Sequence, residues 1–133
     1  MREASETQML QRTERPWGWF ETVSEQVGNK VKRIRVYPGQ QISLQKHHRR
    51  SEHWVVVLGT ALVTVGGQRS ALAVGQHIDI PLGEVHRLAN LTRGPVEIIE
   101  VQLGDYLGED DIERLQDDYG RVRNPPPTGD NPG

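Results

Sequence analysis

The stretch GQHIDIPLGEVHRLAN (75–90) decides the fold. Gly75 precedes Pro81 by five intervening residues, and Gly83, His86 and Asn90 follow at short intervals. QHIDIPLG and the following HRLANLT read as short strand segments joined by a Pro-x-Gly turn. The neighbouring segments are of the same kind. KVKRIRVYPG is strand-like and stops at Pro38-Gly39. ISLQKH and EHWVVVLG follow, the second ending at Gly59. TALVTVGGQRSALAVG reads as a hairpin about Gly66-Gly67, because paired glycines supply the positive φ of a tight turn. VEIIEVQLG completes the set. No helix-period stretch interrupts these strands, which argues against a parallel α/β fold and for an all-β sandwich or barrel.

The ends differ. Residues 1–14 are polar and read as an N-terminal arm. RPWGWFETV (15–23) carries two of the three tryptophans and is expected to pack across the outside of a sheet or on a partner chain. GEDDIERLQDDYG (108–120) starts with acids suited to a helix N-terminus, and Ile112 and Leu115 lie three apart, so one short C-terminal helix is expected there. Residues 122–133 are Pro-rich and expected to be disordered. One domain over 15–121 results, in a chain of 133 residues.

Composition narrows the function. Net charge is −2, which favours neither nucleic acid nor an anionic membrane. Cysteine is absent, so disulfides and thiolate metal sites are excluded. No apolar run approaches the roughly 20 residues of a membrane span, and the N-terminus lacks a signal-peptide hydrophobic region. The expectation is a soluble cytoplasmic protein.

Chemistry-bearing residues cluster in SLQKHHRRSEHWVVVLG (43–59). Gln45 and His47 are two apart and share a strand face. Counting by twos from Glu52 gives Trp54, Val56 and Leu58 on one face, with His53, Val55 and Val57 on the other. The pattern does not say which face is inside. In VEIIEVQ, Ile98, Glu100 and Gln102 share a face, which makes Glu100 a candidate inward carboxylate.

The spacing resembles the two motifs of the cupin superfamily. The second motif, GQHIDIPLGEVHRLAN, matches at every defined position. The first runs from Gly39 through Gln45, His47 and Glu52 to Gly59, with Gln45 where a histidine usually stands. A closer resemblance covers Arg15 to Arg121. RPWGWFETV, SLQKHHRRSEHW, IPLGEVHRLAN and EVQLGDYLGEDDI look like the cupin domain of type II mannose-6-phosphate isomerases. In many members that domain follows a mannose-1-phosphate guanylyltransferase, for which 133 residues leave no room. Arg49 stands where the family usually has a further histidine, and His77 where it often has serine.

The resemblance implies a double-stranded β-helix, a small jelly-roll barrel, forming a homodimer. The Gln-x-His pair also resembles the zinc-binding pair of type I phosphomannose isomerases. Together these imply a divalent ion, expected to be zinc, on Gln45, His47, Glu52 and His86. Imidazole and carboxylate suit such ions. The implied activity interconverts mannose 6-phosphate and fructose 6-phosphate through an enediol, in GDP-mannose and polysaccharide precursor synthesis. Glu100 is the candidate base. Lys32, Arg50 and Arg114 are candidate phosphate ligands by residue type and position. A separate guanylyltransferase is a candidate partner. Two alternatives stay open: a non-catalytic sugar-binding or regulatory cupin, and an iron oxygenase using His47, Glu52 and His86 alone. His48, His53 and His77 are expected at the surface or in ordinary hydrogen bonds. Arg49 is expected to be a turn residue, because a guanidinium has no lone pair for a cation.

Overall fold

A computed structural model describes residues 11–121; the terminal segments 1–10 and 122–133, with most of the expected arm and the whole Pro-rich tail, lie outside the described residues. Eleven strands are described: β1 (Arg12–Arg15), β2 (Gly18–Gln26), β3 (Asn29–Val36), β4 (Leu44–Lys46), β5 (Arg50–Leu58), β6 (Ala61–Val65), β7 (Gln68–Leu72), β8 (His77–Ile80), β9 (His86–Ala89), β10 (Val96–Gly104) and β11 (Glu113–Gln116). They form two antiparallel sheets, ordered β1-β2-β3-β10-β5-β8 and β11-β4-β9-β6-β7. The hairpin about Gly66-Gly67 is present, with Val65 opposite Gln68. Arg12–Arg15 pairs with β2, so the sheet extends into the segment read as an arm.

Alternation along the long strands settles which faces point inward. Arg50, Glu52, Trp54 and Val56 are buried on β5, while Ser51, His53 and Val55 are only partly covered. Pairing then aligns like with like. Ile98 lies opposite both Ile34 and Val56; two residues on, Glu100 lies opposite Lys32 and Trp54; two further, Gln102 lies opposite Lys30 and Glu52. The inner wall of the large sheet therefore passes from an apolar band to a polar one. The facing sheet does the same. Leu88 pairs with Val63, whereas His86 pairs with Gln45, and Gln45 with Arg114. The apolar half joins Val36, Ile42, Ala61, Val63, Ile80 and Val96 in a core that both sheets share. Removing that surface from water holds the barrel together. It leaves the other half to be filled by polar groups that must satisfy one another.

The motif residues have physical duties in this barrel. Gly59 has φ +74°, and a Cβ there would lie 2.4 Å from the carbonyl oxygen of Pro95. Gly83 has φ +79° and donates its N–H to the His47 carbonyl at 3.0 Å, tying the two motifs together. Asn90 is fully buried. Its amide donates to Val36 O (2.9 Å) and Gly94 O (2.8 Å), and its oxygen accepts from Thr92 N and Oγ1. Asn90→Ala leaves these groups without partners, and each buried orphan costs about 1–3 kcal/mol. The expected loss is about 3 kcal/mol of unfolding free energy, read as a lowered urea midpoint with unchanged slope.

Two expectations are corrected. No helix occurs among the described residues, and none is therefore long and apolar enough to cross a membrane. The segment expected to be helical instead supplies β11, which pairs with β4. Ile112 and Leu115 would give a helix too little apolar surface to bury. The acids are used otherwise: Glu109 takes Lys32 (2.6 Å), and Asp111 accepts the backbone N–H groups of His48 and Arg49, each at 2.9 Å. The tryptophan run lies outside a sheet only in part: Trp19 sits on the outer face under Arg12 and Arg35, while Trp17 turns inward. It enters strand β2 at Gly18, with Trp17 and Trp19 only 7% and 4% exposed and Trp17 in the core. A Cβ at Gly18 would sit 1.9 Å from Arg35 O, so the glycine lets β2 close against β3.

Candidate metal centre and cavity

His47, at the end of β4, Glu52 on β5 and His86 on β9 converge. One ligand atom from each lies within 4.8 Å of the others. The His47 Nε2 to Glu52 Oε2 separation is 3.1 Å, and His86 Nε2 lies 3.8 Å from Glu52 Oε1. Both rings are oriented from behind. His47 Nδ1 lies 2.6 Å from Asp111 O, and His86 Nδ1 lies 2.9 Å from Glu84 O. A carbonyl can only accept, so Nδ1–H donates in each ring and Nε2 presents a lone pair inward. That is the arrangement in which histidine binds metals. His86 Nε2 is buried and has no hydrogen-bond partner. Burial pushes the His86 pKa down, which favours the neutral, ligating form. Burial by itself pushes the Glu52 carboxyl up. The contact with His47, followed by the charge of Arg50, outweighs burial and holds it well below the usual carboxylate range. Trp54 Nε1–H adds a hydrogen bond to Glu52 Oε1 at 2.9 Å. Two imidazoles and a carboxylate, one of the imidazoles with an orphaned buried nitrogen, fit a divalent first-row ion.

A cavity opens beside this cluster. His47, Gln45, Arg50, Glu100, Lys32 and Arg114 all line it. Gln45 lies opposite His86 in register, and its Oε1 accepts from Ser43 Oγ at 2.8 Å. Of the triad, His47 reaches the cavity wall, while Glu52 and His86 lie behind it with side chains 1% exposed. Arg50 stands in front. Its Nε and Nη2 each lie 2.8 Å from Glu52 Oε2, and Nη2 donates to His47 Nε2 at 3.1 Å.

Glu100 is buried in the same polar band. Its pKa is pushed up to about 7, chiefly by burial and then by the Glu52 charge, against the pull of Lys32 and Arg50. Gln102 Nε2 donates to its Oε2 at 2.5 Å. Lys32 is buried, paired with Glu109 at 2.6 Å and 4.2 Å above the Phe20 ring. Arg114 on β11 has a buried Nε without a partner. The structure thus brings all eight candidate residues to one end of the barrel. His48 and His77 are exposed and His53 is half-buried, with His77 stacked on His53 at 5.1 Å. Arg49 pairs with Asp105 at 3.2 Å and lies over the Tyr106 ring, away from the cluster.

Sequence reasoning missed Asp111, which fixes His47 through its carbonyl and the 48–49 turn through its carboxylate. It also missed Glu109, Arg15 and Arg121 at the cavity wall. The acid run GEDD carried the signal for Glu109 and Asp111, under a helical reading.

An antiparallel double-stranded β-helix that closes two histidines and a glutamate over a polar cavity defines a cupin. Solved structures agree on the fold. CapF, a capsular polysaccharide assembling protein from Staphylococcus aureus, matches with a TM-score of 0.70 at 19% identity, over 84% of this chain and 33% of that one. A Klebsiella pneumoniae protein with a double-stranded β-helix domain matches with a TM-score of 0.67 at 23% identity, over 77% and 88%. The family is narrower. Residues 2–117 match the family described as mannose-6-phosphate isomerase C-terminal, and the chain belongs to it. Relatives include the alginate biosynthesis protein AlgA of Pseudomonas aeruginosa, 53% identical over 91% of this chain and 25% of its own length. The mannose-1-phosphate guanylyltransferase ManC of Salmonella typhimurium is 49% identical over 81% and 22%. The chain spans about a quarter of the length of these relatives.

Proposed function

We propose that this chain is a metal-dependent aldose–ketose isomerase acting on mannose 6-phosphate and fructose 6-phosphate. The observation that carries the reading is a buried carboxyl with a pKa of about 7, Glu100, lining one cavity with the Nε2-presenting His47. Membership of the mannose-6-phosphate isomerase C-terminal family supplies the substrate class. His47, Glu52 and His86, with the amide oxygen of Gln45, would hold the ion, with zinc the expected one. Bound there, a divalent ion supplies electrophilic stabilisation of the oxyanion that develops as C1 and C2 exchange oxidation level.

The protein's own groups do the rest. Glu100, poised near neutrality, takes a proton from one carbon and returns it to the other. A base is most effective when its pKa lies near the working pH, and burial beside Glu52 sets that value. Gln102 holds the Glu100 carboxyl through Oε2. Trp17, Phe20, Ile34, Ile42 and Ile112 form the apolar part of the cavity wall and exclude water from the exchanging proton. The product would supply or draw on the mannose phosphate pool, in keeping with relatives named for alginate biosynthesis and for mannose-1-phosphate guanylyltransferase activity.

The test is direct. Purified protein, stripped of metal and reloaded with zinc, should form fructose 6-phosphate from mannose 6-phosphate. No product above the stripped control overturns the reading. A second reading, a regulatory cupin that binds without turnover, is favoured by the hydrogen bond from Arg50 into His47. It predicts calorimetric binding of mannose 6-phosphate in the same preparation with no conversion.

A further inference from the structure

Five cationic side chains line the cavity: Arg15, Lys32, Arg50, Arg114 and Arg121. They are not equivalent. Arg50 is committed to Glu52 and His47. Lys32 is committed to Glu109, whose carboxyl Lys32 and Lys30 pull below its usual range despite burial. Arg121 is held by Asp117, with Nε and Nη2 at 2.7 and 3.0 Å from its two oxygens, which leaves Nη1 free of that pair. Arg15 donates Nη1 to the Glu14 carbonyl, an uncharged partner. Arg114 has neither a hydrogen bond nor an ion pair among the described residues, and its Nε is buried. Burial, then the charge of Arg121, push its pKa down; Asp117 opposes them in part, and Arg15 adds to the lowering. Three guanidiniums from separate segments therefore crowd one side of the cavity, and one of them is half-buried with an unanswered donor. A buried donor without a partner is costly, and three guanidiniums answered by one carboxylate, Asp117, add to the cost. An anion removes both penalties at once.

We propose that Arg114, supported by Arg15 and Arg121, seats the phosphoryl dianion of a hexose phosphate, and that Lys32 and Arg50 do not. The proposal rests on the reading of this cavity as a sugar-phosphate site, and sharpens it by assigning the phosphate end. Register fixes the geometry. Arg114, Gln45 and His86 stand opposite one another on β11, β4 and β9. Neighbouring strands are about 4.8 Å apart, so the Arg114 and His86 backbones are separated by roughly 10 Å. An acyclic hexose phosphate laid along this row would put its C1–C2 end by the histidines and its phosphorus by the arginines. Guanidinium forks match phosphate oxygens in pairs, so the row would read the phosphate as well as attract it. Free hexoses would lack that anchor.

Calorimetric titration of metal-stripped protein separates the possibilities. The ligands are mannose 6-phosphate, mannose and inorganic phosphate. Wild type should bind mannose 6-phosphate at least tenfold more tightly than mannose, and should bind inorganic phosphate. R114Q should lose at least tenfold for both phosphates, R114K should recover part of it, and K32Q should change affinity less than threefold. Matched circular dichroism spectra and melting temperatures establish that the variants are folded. The proposal is overturned if R114Q binds mannose 6-phosphate as wild type does, or if K32Q loses as much as R114Q. It is equally overturned if wild type does not distinguish mannose 6-phosphate from mannose. Arg114-dependent binding without isomerisation on zinc loading supports the proposal while overturning the isomerase reading.

Discussion

His47→Ala is expected to empty the metal site, and Arg49→Ala to leave its metal content unchanged. The two residues are neighbours in one basic turn, yet their environments are opposite. His47 is 2% exposed, its ring is braced by Asp111 O, and its Nε2 faces Glu52. Arg49 is half exposed and pairs with Asp105. Removing His47 leaves one imidazole, one carboxylate and a weakly coordinating amide. Loss of even an outer partner of a metal ligand costs about 10–100-fold in affinity, so losing the ligand should exceed that range. Metal analysis after dialysis against a weak chelator reads the difference. If His47→Ala retains metal, or if Arg49→Ala loses it as completely, the ligand assignment is wrong.

Glu100→Gln is expected to cut isomerase turnover by roughly 10²–10⁴-fold, the range for removing a positioned general base, while metal content stays unchanged. The substitution keeps the side chain's size and one oxygen for Gln102. A variant with wild-type turnover removes Glu100 from the mechanism. The same residue has a signature in metal-stripped protein that needs no catalysis. Its folded pKa, about 7, lies above the ordinary carboxylate value, so the folded state holds the proton more tightly than the unfolded one. The stability from this group is full below about pH 4.5 and is lost as pH rises through 7, a change on the order of 3 kcal/mol. Glu52 acts in the opposite sense, its contribution present above the ordinary carboxylate range and lost as pH falls below it. His86, whose pKa burial lowers, acts against Glu100 in this window, so the expected reading in denaturant unfolding between pH 5 and 8 is a stability advantage of wild type over Glu100→Gln that shrinks as pH rises.

Much of the barrel was legible because its determinants are local. Glycine and proline at fixed intervals mark where strands must turn, and alternation from Glu52 to Val56 marks two faces. Which face is inward was not local information. It depends on β10 and β3 placing Glu100, Ile98 and Ile34 against the same wall. The C-terminal segment was misread for a related reason. ERLQ has no strong strand pattern, and it becomes a strand because β4, some 70 residues earlier, offers an open edge. The three convergent ligands were readable from spacing, since the motif intervals already encode the turns between them. The brace on His47 was not, because Asp111 supplies a main-chain carbonyl, which any residue could provide. Nor could residue type tell Arg114 from Lys32: both are cations, and only the fold reveals that Glu109 has already claimed one of them.

Arg50 changes what filling this site means. The Nε2 atom of His47 has a single lone pair, and the guanidinium already uses it. A divalent ion cannot share that lone pair, so uptake is an exchange of partners rather than an addition. The rate should then rise with ion concentration only until the swing of Arg50 limits it, and level off beyond. Arg50 must also go somewhere when it yields, and the only open space it lines among the described residues is the cavity beside the ligands.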